Sequence, residues 1–245
     1  MFIALRRWIA GSSPGADWPA VADWARRRNA VFKRAKDNAG FVVDGALDGR
    51  AWRLEWGPPQ RAYIAGPELR LRMELGLSQH LQMLLLSRPL MESLERQAFE
   101  QFTAHTETQI DVATPEEMRW LAMFTKVPLA ASRDLKQRFA AVAASPPLAS
   151  AWIDGPLSDR LAESAGGPLA AEPPLVLMTL RGRLYLRLQL DEPDPATIEA
   201  MVALFETAAA QSVRVGHGLQ DAPDAWPNTG TTAWQTHLQP EDPKS

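Results

Sequence analysis

The chain has 245 residues, of which 46% are hydrophobic and 22% charged, with no cysteine and a formal net charge of −3. That apolar content suffices for a real core, so disorder over the whole chain is excluded, as are a disulfide framework, a thiolate zinc site, an iron–sulfur cluster and a cysteine nucleophile. No run approaches the roughly 18–20 uninterrupted apolar residues of a membrane span.

The charge is uneven: residues 1–100 hold 15 Lys+Arg against 11 Asp+Glu, and residues 101–245 hold 11 against 18. A basic front and an acidic back could steer an anionic partner or a second copy, or could reflect no more than solvated faces.

Residues 1–16 form an apolar and basic segment. Its apolar run breaks at Arg6 and Arg7 with no small-residue cleavage site after it, so it does not read as a secretory signal. Wound as a helix, its first eleven residues make about three turns, too few to persist alone in water. Self-docking is the preferred reading because the tether is short. A protein partner or an anionic membrane surface, met by Trp8, Arg6 and Arg7, are the alternatives.

After Gly11-Ser12-Ser13-Pro14-Gly15 a helix is expected from an Asp17 cap, with Pro19 in its first turn and Gly40 just past its end. Trp18, Val21, Ala22, Ala25 and Phe32 share one face of it. Arg26, Arg27, Arg28, Lys33, Arg34 and Lys36 make a basic stretch that could meet phosphates. The aromatics lie on the opposite face, so a solvated helix is the better reading and nucleic acid is not expected as a partner.

Two strands, 41–46 and 50–56, flank Asp48-Gly49, a type I′ hairpin signal. Leu69, Leu71, Met73 and Leu75 alternate with charged residues as a half-buried strand, and the apolar run Leu81–Leu86 should pair with it or cover it. Ser87 is placed to cap a helix carrying Leu90, Leu94, Ala98 and Phe102. Thr114-Pro115-Glu116-Glu117 has the form of a capping box, and a further helix from Ser132 would turn Leu135, Phe139 and Val142 inward. Residues 145–174 give no clear pattern. A second hairpin spans Leu175–Leu180 and Arg183–Leu190 about Arg181-Gly182, and Asp194-Pro195 opens a helix burying Ile198, Met201, Val202, Phe205 and Ala209.

The expected fold class is α+β, with antiparallel β-hairpins covered by amphipathic helices. Segments 69–103 and 175–211 share the order strand, turn, strand, helix, which suggests two similar lobes, 17–110 and 111–218. The chain from 219 to 245 reads as a flexible tail containing proline and tryptophan.

For chemistry, none of His80, His105, His217 and His237 lies three or four residues from another, so no metal site and no cofactor are expected. His105, Glu107 and Asp111 are the densest polar group and the weak catalytic candidates for a hydrolase-type site. Gly216-His217-Gly218 resembles the start of a glycine-rich loop but reads better as a flexible domain end. Trp226 and Trp234 stand in a polar tail, where they would anchor a partner. The first expectation is a noncatalytic interaction or adaptor protein, cytoplasmic, with an unknown protein partner. The alternatives are the hydrolase and a peripheral membrane or lipid-binding protein.

Overall fold

The computed structural model describes residues 18–36, 39–104, 114–129 and 133–220. In chain order these give α1 (Pro19–Arg27), β1 (Val31–Arg34), β2 (Phe41–Leu47), β3 (Arg50–Gly57), β4 (Glu68–Glu74), β5 (Met83–Ser87), α2 (Arg88–Ala104) and α3 (Glu116–Met123). There follow β6 (Thr125–Lys126), α4 (Arg133–Arg138), β7 (Phe139–Ala143), α5 (Pro146–Ile153), α6 (Pro156–Ala165), β8 (Leu175–Leu180), β9 (Arg183–Gln189) and α7 (Pro195–Gln220). The fold is mixed α+β. All nine strands join one antiparallel sheet in the order β1-β2-β3-β4-β9-β8-β5-β7-β6.

Period-two alternation sends one set of side chains to each face of the sheet. On the first face Phe41, Val43, Leu54, Leu69, Leu71, Leu177, Leu184, Leu186 and Leu188 are buried against α1, α5, α6 and α7. Helix α7 is the keel of this layer, with Ile198, Met201, Val202, Leu204, Phe205 and Ala208 all fully buried. On the second face Leu84, Leu86, Val142, Val176 and Met178 pack under Leu90, Met91 and Leu94 of α2 and Met118 and Trp120 of α3. Strands β5, β7 and β8 are thus buried on both sides. Toward β2, β3, β4 and β9 the second face turns charged.

Both hairpins form as their turn residues require. Asp48 and Gly49 sit at φ 49° and 77°, and Arg181 and Gly182 at 52° and 77°, the pair of positive values a type I′ turn needs. The second turn is also crowded. The Leu75 N–H donates to the Gly182 carbonyl at 3.0 Å, and a Cβ on Gly182 would lie 2.7 Å from the Leu77 carbonyl oxygen. Here the β4–β5 connection crosses the tip of the β8–β9 hairpin.

Several elements depart from the sequence expectation. The first helix stops at Arg27 because Asn29 takes the left-handed conformation, φ 54°, and a Schellman closure forms from Ala30 N–H to Ala25 O at 2.8 Å and Asn29 N–H to Arg26 O at 3.1 Å. Phe32, Lys33 and Arg34 therefore lie on edge strand β1, and Asp17 lies outside the described residues. Strand β5 does not pair with β4; the β8–β9 hairpin lies between them. The shared order of 69–103 and 175–211 thus has no shared pairing. The helix expected after Ser87 does begin at Arg88, and the Ser87 hydroxyl accepts the Leu175 N–H at 3.2 Å, tying β5 to β8.

Pro115 holds the N-cap position of α3 with no side-chain cap bond, which removes the capping role expected of Thr114. Phe139–Ala143 is strand, not the continuation of α4, because its five residues are buried on both faces, where a short apolar run has no period to reveal. The Gly216-His217-Gly218 stretch lies inside α7, where Gly216 makes room for the Leu77 side chain. Two helices, α5 and α6, fill the region that gave no pattern, each with proline in its first turn.

Candidate functional site

The charged half of the second face is built from alternate residues of neighbouring strands. Register sets Asp44, Arg53, Arg72 and Tyr185 in one cross-strand row and Glu55, Arg70 and Arg187 in the next. Two arginine–arginine neighbours result, Arg53 with Arg72 and Arg70 with Arg187, and like charges set directly opposite destabilise a sheet. Carboxylates resolve the conflict. Glu68, at the start of β4 and fully buried, takes Arg187 Nη1 at 2.6 Å on one oxygen. On the other it takes Arg70 Nη1 at 3.4 Å and the Gln60 N–H at 2.7 Å.

Glu117 drops from α3 onto the same spot and is also fully buried. Its Oε1 accepts from Arg61 Nε at 3.2 Å and from the Tyr63 hydroxyl at 3.0 Å, with Arg187 Nε 4.0 Å away. Its Oε2 has no hydrogen-bond partner among the described residues. Burial first, and then the adjacent Glu117 charge, push the Tyr63 phenol far above its ordinary range, so it is held as a protonated donor.

The chain of opposite charges continues outward. Arg70 Nε lies 3.4 Å from Glu55, Glu55 lies 3.9 Å from Arg53, Arg53 lies 2.9 Å from Asp44, and Lys33 on the edge strand closes it at 3.2 Å from Asp44. Burial raises the Asp44 carboxyl, but the hydrogen bonds and charges of Lys33 and Arg53 outweigh it and hold the group below the usual carboxylate range. The lattice thus runs from α3 through β9, β4, β3 and β2 to β1. Chemically it is a set of acids each committed to a guanidinium or ammonium. Neither described histidine, His80 or His217, lines it.

The basic stretch near the N-terminus is divided rather than massed. Arg28 bridges Glu199 at 2.6 Å and Glu206 at 2.7 Å, two residues on one face of α7, and stacks 5.9 Å from the Trp24 ring centroid. The Trp24 indole donates to the other oxygen of Glu199. Arg26 pairs with Asp23 and Lys33 with Asp44. Trp24 and Arg28 thus dock α1 on α7, and Lys33 ties the edge strand β1 to β2.

The sequence-stated candidates His105, Glu107, Asp111, Trp8, Arg6, Arg7, Trp226 and Trp234 lie outside the described residues. Among the described residues no group of acids and histidines has the geometry to hold a metal ion, and no helix is long and apolar enough to cross a membrane. Sequence reasoning missed Glu68, Glu117, Arg61 and Tyr63. Alternation did place Arg70, Arg72 and Glu74 on one face, but nothing local showed that α3 would bury its second glutamate there.

No protein-family model matches the chain, and no curated protein matches it. Among solved structures it is similar to the mycobacterial trehalose monomycolate transport factor A, TtfA, with a TM-score of 0.43 and 11% identity, covering 80% of this chain and 94% of that one. A likeness at that level leaves fold and function to be argued from this chain itself.

Proposed function

We propose that this chain is a noncatalytic interaction protein, a rigid platform that works by association rather than turnover. The observation that carries this reading is the charge lattice. Its two fully buried carboxylates, Glu68 and Glu117, are held by arginines, and its phenol is held protonated. Each acid here is spent on holding neighbouring elements together through a guanidinium, rather than standing free toward a substrate. The segments that would carry the association are the N-terminal one with Arg6, Arg7 and Trp8, and the tail with Trp226 and Trp234. Tryptophan and arginine supply most interface hot spots.

The test compares the full chain with versions lacking residues 1–16 or 221–245, each tagged and recovered from the native host. The reading expects an unchanged unfolding midpoint and loss of a specific recovered protein on one of the two deletions. Identical recoveries from all three would overturn it. Ester or phosphoester cleavage by the purified chain, abolished in His105→Ala/Asp111→Asn with unchanged melting, would establish the hydrolase instead. Salt-sensitive co-sedimentation with anionic vesicles, lost on removal of residues 1–16, would establish peripheral membrane binding.

A further inference from the structure

Strand β6 pairs with β7 only at Thr125↔Ala143 and Lys126↔Val142, after which the chain leaves the sheet edge. One more bond forms, from Val127 N–H to Ala141 O at 2.8 Å. Beyond it a cavity of about 330 Å³ opens between β7, the start of α2 and α4. Its apolar wall is Met91, Val127, Leu129 and Phe139. Its charged lining is Arg88, Lys126 and Lys136, with no Asp or Glu among the described lining residues.

The three cations differ in how they are held. Arg88 is anchored through two of its three nitrogens: Nε donates to the carbonyls of Lys136 at 2.9 Å and Gln137 at 3.1 Å, and Nη2 to those of Lys136 and of Phe139 at 3.1 Å. Carbonyls occupy these donors and, among the described residues, no carboxylate pairs with its charge. Lys126 pairs with Glu95 at 2.8 Å, but their side chains are 65% and 35% exposed, where such a pair contributes little and exchanges readily. Lys136 is exposed and makes no ion pair among the described residues. Three positive charges thus face one carboxylate around an apolar hollow.

We propose that this cavity binds a small anionic amphiphile, a single alkyl chain ending in an anionic group. The chain would lie against Met91, Leu129 and Phe139 and the anion would meet Lys126 and Lys136 at the mouth, with the fixed charge of Arg88 behind it. The volume falls at the low end of the roughly 300–1,000 Å³ range of small-ligand sites, which suits one chain rather than the two of a bilayer phospholipid.

The experiment is calorimetric titration of the full chain with decanoate, decanol and decyltrimethylammonium, all below their micellar concentrations. Vesicles of phosphatidylglycerol, and of phosphatidylcholine, form a separate arm. Decanoate is expected to bind at least tenfold tighter than decanol, and the ammonium compound not at all. Lys126→Met/Lys136→Met, changing two exposed residues, should weaken decanoate at least tenfold and leave decanol unchanged. Ala140→Leu, which fills the hollow, should abolish both while retaining cooperative melting. Equal affinity for decanoate and decanol, indifference to the lysine pair, or no binding of any of the three would overturn the proposal. So would binding to phosphatidylglycerol vesicles without binding to free decanoate, since a surface charge effect would then suffice.

Discussion

Glu68 and Glu117 show how a single residue is constrained by charges it cannot see in its own segment. Each has no solvent exposure, and each meets at least one arginine from outside its own element, Arg187 of β9 for Glu68 and Arg61 for Glu117. Removing one partner of a buried pair leaves the other charge uncompensated, a loss of about 3–5 kcal/mol. Glu68→Ala is therefore expected to lower the urea-unfolding free energy by about that amount, since it would leave Arg70 and Arg187 facing one another. Glu68→Gln, which keeps an acceptor of the same size, should cost less. An unaffected midpoint for Glu68→Ala would mean water takes over the arginines.

Gly182 is constrained sterically instead. Its φ of 77° and the 2.7 Å approach of the Leu77 carbonyl to a would-be Cβ both exclude a side chain. Gly182→Ala should cost about 1–3 kcal/mol by thermal or urea unfolding. The residue's role in the turn was legible from Arg181-Gly182, whereas the crossing of Leu77 over it was not, because that contact depends on where β5 goes.

At the scale of the element, the strongest local signals are those that the chain satisfies within a few residues. Asp194 is one: its Oδ1 accepts the N–H groups of Ala196 at 2.9 Å and Thr197 at 3.0 Å, capping α7 as its sequence suggests. Burial raises this carboxyl, but hydrogen bonds from Thr197 and Ala196 outweigh it and the net shift is downward. A carboxylate whose folded pKa is depressed contributes stability that is present above its unfolded value, about 3.9, and is lost as pH falls through the folded value. Asp194→Ala is expected to cost about 1 kcal/mol at neutral pH, with the difference from the native chain shrinking as the pH is taken below about 4. A pH-independent difference would mean the cap works through something other than its charge.

Thr179 is the opposite kind of element-level feature, silent in sequence. Its hydroxyl accepts from Met83 N–H at 3.1 Å and donates to the Leu81 carbonyl at 2.8 Å, clamping the entry of β5 against β8. Thr179→Val keeps the shape and strands both buried backbone groups, for an expected loss of about 1–3 kcal/mol in denaturant unfolding. Thr114→Ala, by contrast, should change stability by less than about 0.5 kcal/mol, because α3 begins without a side-chain cap. The hairpins and α7 were readable because turn chemistry and a 3.6-residue period are local. The entry to α3 was misread, because Pro115 takes the cap position and Glu117 answers to Arg61 and Tyr63.

For the whole molecule, the decisive fact is that the sheet draws its neighbours from distant parts of the chain. Strand β4 pairs with β9, and β5 lies between β7 and β8. Residues 17–110, expressed alone, would present β4 without β9 and β5 without either neighbour, leaving unpaired backbone and apolar faces. That fragment is expected to give an unfolded circular-dichroism and amide-exchange signature, and residues 111–220 likewise. Mixing the two should restore the sheet if either can wait in solution. Independent cooperative folding of either fragment would mean that the pairing across the β4–β9 boundary is not required. The composition and alternation of strands made the α+β class legible, but strand order was not, because no residue in 68–87 marks which neighbour its backbone will find.

The insertion of the β8–β9 hairpin between β4 and β5 also has a consequence in time. Residues 75–82 join two strands that are separated in the sheet by a hairpin synthesised only after residue 174. At a synthesis rate of about 5–20 residues per second, the first half of the sheet waits several seconds or more with its edges open. Its closing contacts are then long-range ones, which place folding toward the slow end for a chain of this size. The nascent chain thus carries unpaired strand edges until the hairpin is made. Loss of the hairpin's tight turn would be felt first as poor yield during translation, ahead of any change in the finished protein.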